Sequence, residues 1–507
     1  MKFLRYLLIA SAILAALPAQ AQIAAFKHII IIVQENRTPD NLFLELCNPP
    51  AAANCGPLTS QYDILTTGWN NKGSFIPPVP VDLATRWDIE HHHDPDWLAM
   101  CHLNPAGTAC QMDRAANEIC IPGKTAPCPT TPPPAFHYVQ RYTGGADILG
   151  PYISIALTYG WANKMFATNQ GPSFEAHQFI YGATSAPTVN STENDDANGI
   201  YAAENASGCL DTPDAKVKTI IKSLENGTTT YPCFTHPTLG TALFSSPTPW
   251  RYYTPYTPGE NDDNLWTAPE AILSECGVSN QGNTGTLYTA CIGPEFAANS
   301  NVVSNPRQVL VDISKCHLQS LNWVIPEGQY SDHAGMTTDL GPQWVASIVN
   351  WIGASQCHDS GKTYWQDTAI IITWDDWGGW YDHEAPKLDP LGYQLGFRVP
   401  LLFVSAYGPK SIANGQCLPN IDGDDILDFG SIADFIEGNF LTREGLLGFA
   451  DQRALNRGNL HPDLSSFFDI TKADCTFVPV PILSQPQQYD ANYFINDTSP
   501  VLPPDDE

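Results

Sequence analysis

The sequence predicts an α/β fold, a central and mostly parallel sheet between helices, with long loop-rich insertions. Three observations predict it. Short aliphatic runs are continuous rather than alternating, as in strands covered on both faces. Helical patterns lie between these runs, so strands and helices alternate. Two long stretches rich in Pro, Asn and Thr break that rhythm, as insertions on a core fold do.

The elements follow in chain order. Residues 1–21 carry Lys2 and Arg5, an apolar run to about Leu17, and Ala19-Gln20-Ala21. This is the pattern of a signal peptide, and the run is short for a membrane anchor. The mature chain is expected to start near Gln22 and to be secreted or periplasmic. One domain is expected over 22–475. Its strands are read at "HIIIIVQ" (28–34), "LNWVIP" (321–326), "TAIIITWDD" (368–376) and "VPLLFVS" (399–405), with helices around 146–166 and at 341–355. Insertions are expected near 44–135 and 186–305. Aromatic residues in the second, such as "WRYYTPYTPGENDDNLW", either meet a lipid or pack a lid. Residues 476–507 read as an extended tail with a disordered end.

The formal net charge is −29, from 53 acidic against 24 basic residues. Such a surface repels nucleic acid and anionic membranes, so no nucleic-acid partner is expected. A phosphate substrate remains compatible, because a bound cation reverses the potential locally. Beyond the leader no stretch is long and apolar enough to span a bilayer. The 14 cysteines are even in number and contain no C-x-x-C pair. In an exported chain this predicts disulfides rather than clustered zinc ligands, with local pairs such as Cys47–Cys55 and Cys101–Cys110.

Chemistry-bearing residues collect at strand ends, where open α/β sheets bind ligands. In "KHIIIIVQENRTPDNLF" an interior strand runs into Glu35 and Asn36, oxygen donors suited to a divalent cation. Asn36 or Thr38 equally suits the cap of a helix starting near Pro39. In "AIIITWDDWGGWYDHEAP" Asp375 and Asp376 follow a strand. Adjacent buried carboxylates repel each other unless a cation joins them. In "NQGPSFEAHQFIYGATS" Ser173 either caps a helix or serves as a nucleophile activated by a metal at a helix N-terminus. In "EGQYSDHAG" Asp332 and His333 follow a strand, and histidine suits a general acid. In "DIEHHHDPDW" either His91 or His93 reaches the site, or the run is a solvated loop.

Together "QENRTPDNLF", "GPSFEAH", "EGQYSDHAG" and "TWDDWGGWYDH" resemble the signature blocks of the phosphoesterase family of bacterial phospholipases C and acid phosphatases, which includes the plant non-specific phospholipases C. The resemblance runs from about Lys27 to Leu446. It implies an alkaline-phosphatase-like fold and one divalent metal ion, with calcium, zinc, magnesium and manganese all compatible with the donors. By that resemblance Glu35, Asn36, Asp375 and Asp376 match the metal ligands, and Ser173 matches the nucleophile that also binds the metal. His91 and His333 match the acid side of the pocket. Asp332, His93 and His383 are expected to contact the substrate. Arg37 either holds a carboxylate ligand in place or bridges to the neighbouring chain.

Two departures bear on substrate choice. Trp377 stands where the family commonly has the histidine of Asp-Glu-His-Gly-Gly. "DFGSIADFIEGNF" lacks the histidine that often precedes a serine near the end of the family's domain. The expected activity is hydrolysis of phosphate esters through Ser173, first as a phospholipase C acting on phospholipid headgroups. An acid phosphatase of broad specificity is the second expectation. A non-catalytic exported binding protein is the alternative from another class, and it predicts lost ligand positions.

Overall fold

Ile29 to Val33 form a strand with no exposed side chain, and each such isoleucine contributes on the order of 1.5–3 kcal/mol of burial. That strand, β1 (His28–Gln34), lies inside an eight-stranded sheet of the computed structural model, which describes residues 25–47, 61–123, 126–188 and, with interruptions, 200–502. The other strands in chain order are β2 (Gly160–Ala162), β3 (Trp250–Tyr253), β4 (Val302–Val303), β5 (Leu321–Val324), β6 (Thr368–Trp374), β7 (Leu401–Ser405) and β8 (Asn420–Asp422). Across the sheet the order is β4-β3-β5-β1-β6-β7-β2-β8. Five of the contacts between neighbours are parallel, and β7 runs antiparallel to both β6 and β2.

Helices pack around this sheet in two groups. α2 (Gly150–Thr158), α4 (Gln308–Ser314), α5 (Gly341–Gly353) and α8 (Ala491–Asn496) form one. α3 (Ser173–Gly182), α6 (Phe429–Phe440) and α7 (Ala450–Asn456) form the other. A single large core joins the strands to both groups. The expected α/β class with a mostly parallel sheet is what the chain adopts. A short α1 (Pro39–Phe43) follows β1, with the Thr38 hydroxyl accepting from the Asn41 N–H at 3.1 Å.

Three expectations need revision. The helix read around 146–166 is only α2, with Pro151 in its first turn; Gly160-Trp161-Ala162 then leaves it to form β2. The stretch 186–305 supplies β3 and β4, so part of it belongs to the main sheet. Trp250 there is buried against Tyr181 and Trp323, which is core packing. The tail is docked, not simply extended. Asn350 of α5 bonds Val480, and Phe494 of α8 packs edge-on against Trp344. The tail's last residues, the leader and Cys55 lie outside the described residues.

The expected Cys101–Cys110 disulfide is present. Cys120–Cys128, Cys209–Cys233, Cys276–Cys291 and Cys316–Cys357 join it, and no described cysteine is free. No helix among the described residues is long and apolar enough to cross a membrane.

Candidate active site

The parallel register of β1 and β6 brings Gln34 opposite Trp374, so the next residues, Glu35 and Asp375, emerge side by side. Backbone bonds extend the pairing past the ladder: Asp375 N–H donates to Gln34 O at 3.0 Å, and Arg37 N–H to Asp376 O at 3.0 Å. The Asn36 N–H donates to the Asp375 carboxylate at 2.9 Å. Asn36 holds a left-handed φ of 60°, which amide side chains tolerate better than most. Gly378 is obligatory here. At φ 58° a Cβ on it would sit 2.5 Å from both Cβ and O of Asn36.

α3 delivers Ser173 and His177 to the same place. The N-cap is Pro172, and no side chain caps the helix. The Ser173 hydroxyl turns to the strand end instead, 3.3 Å from Glu35 Oε2 and 3.5 Å from Asn36 Oδ1. His177, one turn later, places Nε2 3.1 Å from Glu35 Oε1. His177 is absent from the residues expected from the sequence. Its signal was its spacing of four from Ser173, which puts both on one helix face.

Electrostatics at this point are extreme. Glu35, Asp375 and Asp376 are all buried. Burial, then the charges of Asp375 and Asp376, hold the Glu35 carboxyl well above its ordinary value. Burial pushes the His177 imidazole down to about 4, so its ring is neutral. Glu35, His177 and Asp375 each offer a ligand atom within 4.8 Å of the others. Carboxylates, an amide oxygen, a hydroxyl and a neutral imidazole make a donor set that fits a divalent cation, and such an ion would relieve the crowded charge.

His91 approaches from the other side. Its Nδ1 is 2.8 Å from the Ile89 carbonyl, which can only accept, so in the neutral ring the proton sits on Nδ1. Nε2 then accepts from Asn36 Nδ2 at 3.2 Å, which turns the Asn36 oxygen towards Ser173. Nε2 is also 3.8 Å from Asp376. His333 is placed similarly: Nδ1 is 2.7 Å from the Ala334 carbonyl and 3.4 Å from Asp88. The His91 and His333 rings are 6.4 Å apart. Trp266, from the aromatic stretch expected to meet a lipid or pack a lid, lies 6.1 Å from both the His333 and the His177 rings.

The structure brings Glu35, Asn36, Ser173, Asp375, Asp376, His91 and His333 into this group. Asp332 stands behind it. Its carboxylate accepts from Tyr152 at 2.7 Å and Trp374 at 3.2 Å, and burial raises it to about 6. It fits there because Gly341 has no Cβ, which would lie 1.9 Å from its Oδ1. Arg37 donates twice to the Asp332 carbonyl, at 2.9 and 2.7 Å, so it bridges to the neighbouring segment. His93 is buried with its ring stacked on Trp97. His383 is elsewhere. Its Nδ1 is 2.8 Å from Asp40 and its Nε2 3.1 Å from Asp63, so neither ring nitrogen is available to a substrate. Burial opposes its charge, but the two carboxylates outweigh this and push it up to about 10. Arg398, bonded to Asp382 at 2.9 Å, completes that buried ion network.

Comparison with known proteins places these residues in a wider setting. The model of the "Phosphoesterase family" matches residues 26–442. Phospholipase C B of Mycobacterium tuberculosis is 22% identical over 433 residues, covering 78% of this chain and 71% of that one. Phospholipase C A of the same organism is 25% identical over 134 residues, and the match spans about a quarter of its length. Non-hemolytic phospholipase C of Burkholderia pseudomallei is 25% identical over 223 residues, covering 38% of this chain and 27% of that one. Among solved structures, a protein in the alkaline phosphatase superfamily from Vibrio parahaemolyticus aligns with a TM-score of 0.30 at 12% identity, over 59% of this chain and 62% of that one.

Proposed function

The chain belongs to the Phosphoesterase family, and from that premise we propose that it is an exported, metal-dependent hydrolase of phosphate esters with Ser173 as nucleophile. The observation that carries this reading is the Ser173 hydroxyl. It begins a helix without capping it and turns instead to Glu35 and Asn36. All ligand positions expected from the family resemblance are present, which disfavours a non-catalytic binding protein.

Glu35, Asn36, Asp375, Asp376 and Ser173 would hold one divalent ion, with His177 as a further donor. When bound, such an ion supplies positive charge that lowers the serine pKa and offsets charge on the phosphoryl oxygens. Ser173 would lose its proton to solvent and attack phosphorus through Oγ, Glu35 being engaged as a ligand of the ion. The P–O bond to the leaving group would break as His91 or His333, entering the step as an imidazolium with Nδ1 committed to a carbonyl, donates its Nε2 proton. Water hydrolyses the phosphoserine and restores the hydroxyl.

Phospholipase C action on a phospholipid headgroup is the first substrate, in keeping with the relatives' names. Broad acid phosphatase activity is the second reading. Export is supported by the disulfides and by the leader pattern of residues 1–21. The purified protein, assayed on p-nitrophenyl phosphate, p-nitrophenyl phosphorylcholine and phosphatidylcholine with and without chelator, tests the reading. Chelator-sensitive turnover of at least one ester is expected. No turnover of any of them, or turnover indifferent to chelator, overturns it.

A further inference from the structure

The histidine run that supplies His91 carries a second group of donor side chains. Glu90, His92 and Asp96 each offer one atom within 4.8 Å of the others. The backbone builds this group. Asp88–Ile89 pairs antiparallel with Cys120–Ile121, and the Glu90 N–H donates to the Ile119 carbonyl at 2.8 Å, which brings Glu118 alongside. The Cys120–Cys128 disulfide ties down that second strand. The His92 N–H donates to Asp96 Oδ2 at 3.1 Å and folds Asp96 back over the run. The His92 ring follows, with Nδ1 3.5 Å from the same oxygen.

Glu118 is the residue that points to a ligand. Only 5% of it is exposed, and neither of its carboxylate oxygens has a hydrogen-bond partner. The charges acting on it are those of Asp96, His91 and Glu90. With Asp96 and Glu118 buried and Glu90 half-buried beside them, this negative charge is costly unless a proton or a cation neutralises it. The His92 imidazole decides between the two. It adds a nitrogen donor that a cation uses and a shared proton does not need.

We propose that Glu90, His92, Asp96 and Glu118 form a second divalent-cation site, separate from the Ser173 centre. Carboxylate oxygens with one imidazole nitrogen suit zinc or manganese better than calcium. Glu90 and His92 flank His91 in the chain, so an ion there fixes both peptide neighbours of a histidine whose Nε2 meets Asn36. The site thereby positions His91. It does not depend on Ser173 being a nucleophile.

The test uses the full-length protein, stripped by chelator and reloaded with zinc alone. Elemental analysis and thermal melts are compared for wild type, Glu118→Gln, Asp96→Asn, His92→Gln and the double variant Asp375→Asn/Asp376→Asn. His92→Gln is included because its ring is partly exposed and its loss leaves the buried carboxylates in place. The double variant should still take up about one zinc and melt higher with zinc than without, as a ligand specific to the folded state requires. Glu118→Gln, Asp96→Asn and His92→Gln should each lose that ion and keep the one at Asp375 and Asp376. The proposal is overturned if the folded double variant takes up no zinc. It is equally overturned if His92→Gln and Glu118→Gln bind as much zinc as wild type with the same rise in melting temperature.

Discussion

The Ser173 hydroxyl donates to the Glu35 carboxylate at 3.3 Å, although 138 residues separate them in the chain. Ser173→Ala breaks that contact without removing a helix cap. Turnover is expected to fall on the order of 10⁴-fold or more. The stability cost should be about 0.5–1.5 kcal/mol, the worth of one hydrogen bond, so activity and not stability separates the two roles of nucleophile and cap. Wild type quenched in acid during turnover should carry phosphate on the peptide "NQGPSFEAHQF". A Ser173→Ala protein with near-normal turnover rules out the covalent route.

Asp375→Ala and Asp376→Ala are each expected to lower bound metal and activity together, since each removes a buried oxygen donor. His177→Ala should weaken metal binding by at least about 10–100-fold, since it removes a donor and the hydrogen bond to Glu35 together. Elemental analysis of dialysed protein reads both. Full metal occupancy in the aspartate variants with normal turnover would sink the ligand assignment.

Gly378→Ala forces a Cβ into Asn36 at a positive φ. It is expected to cost about 1–3 kcal/mol and to lower activity, because Asn36 must move. Gly73→Ala is the control. Gly73 has a φ of 81° and no atom within 4 Å of the added carbon, so only the backbone term of roughly 1 kcal/mol applies, with activity retained. Equal effects of the two substitutions on activity would remove the steric argument.

His383→Gln breaks a partly buried ion network that shares no hydrogen bond with Ser173. Loss of one partner from such a network costs about 3–5 kcal/mol, and the partly exposed ring puts this case towards the lower end. Melting temperature should fall while KM stays unchanged in the remaining folded protein. A raised KM with unaltered melting would return His383 to the substrate pocket.

Stability should decline from acid to mildly alkaline pH. Burial raises Glu275 and Glu437 to about 8 and Glu444 to about 7. Unfolded glutamate titrates near 4.3, so between these values the folded chain holds protons that the unfolded chain has released. The stabilisation is therefore complete below about pH 4 and is lost as pH rises through 7–8. Melting temperatures from pH 5 to 8 read the effect. Glu275→Gln, which keeps one acceptor oxygen and offers its NH2 to the other of the Tyr181 and Thr238 hydroxyls, should flatten the curve. A melting temperature that rises steadily over this range contradicts the account.

The buried strands β1, β5, β6 and β7 were legible because continuous aliphatic runs have few other uses. β2 and β3 were not, since Gly-Trp-Ala and Trp-Arg-Tyr-Tyr carry no such run, and pairing with β7 and β8 and with β4 and β5 fixes them as strands. Strand-end carboxylates announced themselves by following apolar segments directly. His177 was missed although the helix carrying it was recognised, because spacing on one face went unused. His383 illustrates the opposite limit. Its motif looked like part of a site, but Asp40 and Asp63, the partners that consume both nitrogens, lie far away in sequence.

The position of β1 has a consequence for biogenesis. It is the first core strand made, yet Ile29 pairs with Leu321 on one side and with Ala369 on the other. Until those residues have been synthesised, "HIIIIVQ" has two open edges and a strongly aggregating composition. Contacts so distant in sequence form slowly. Pairing of β1 therefore waits until residue 374 of 507 has been made, and until then the exposed strand must be kept from aggregating.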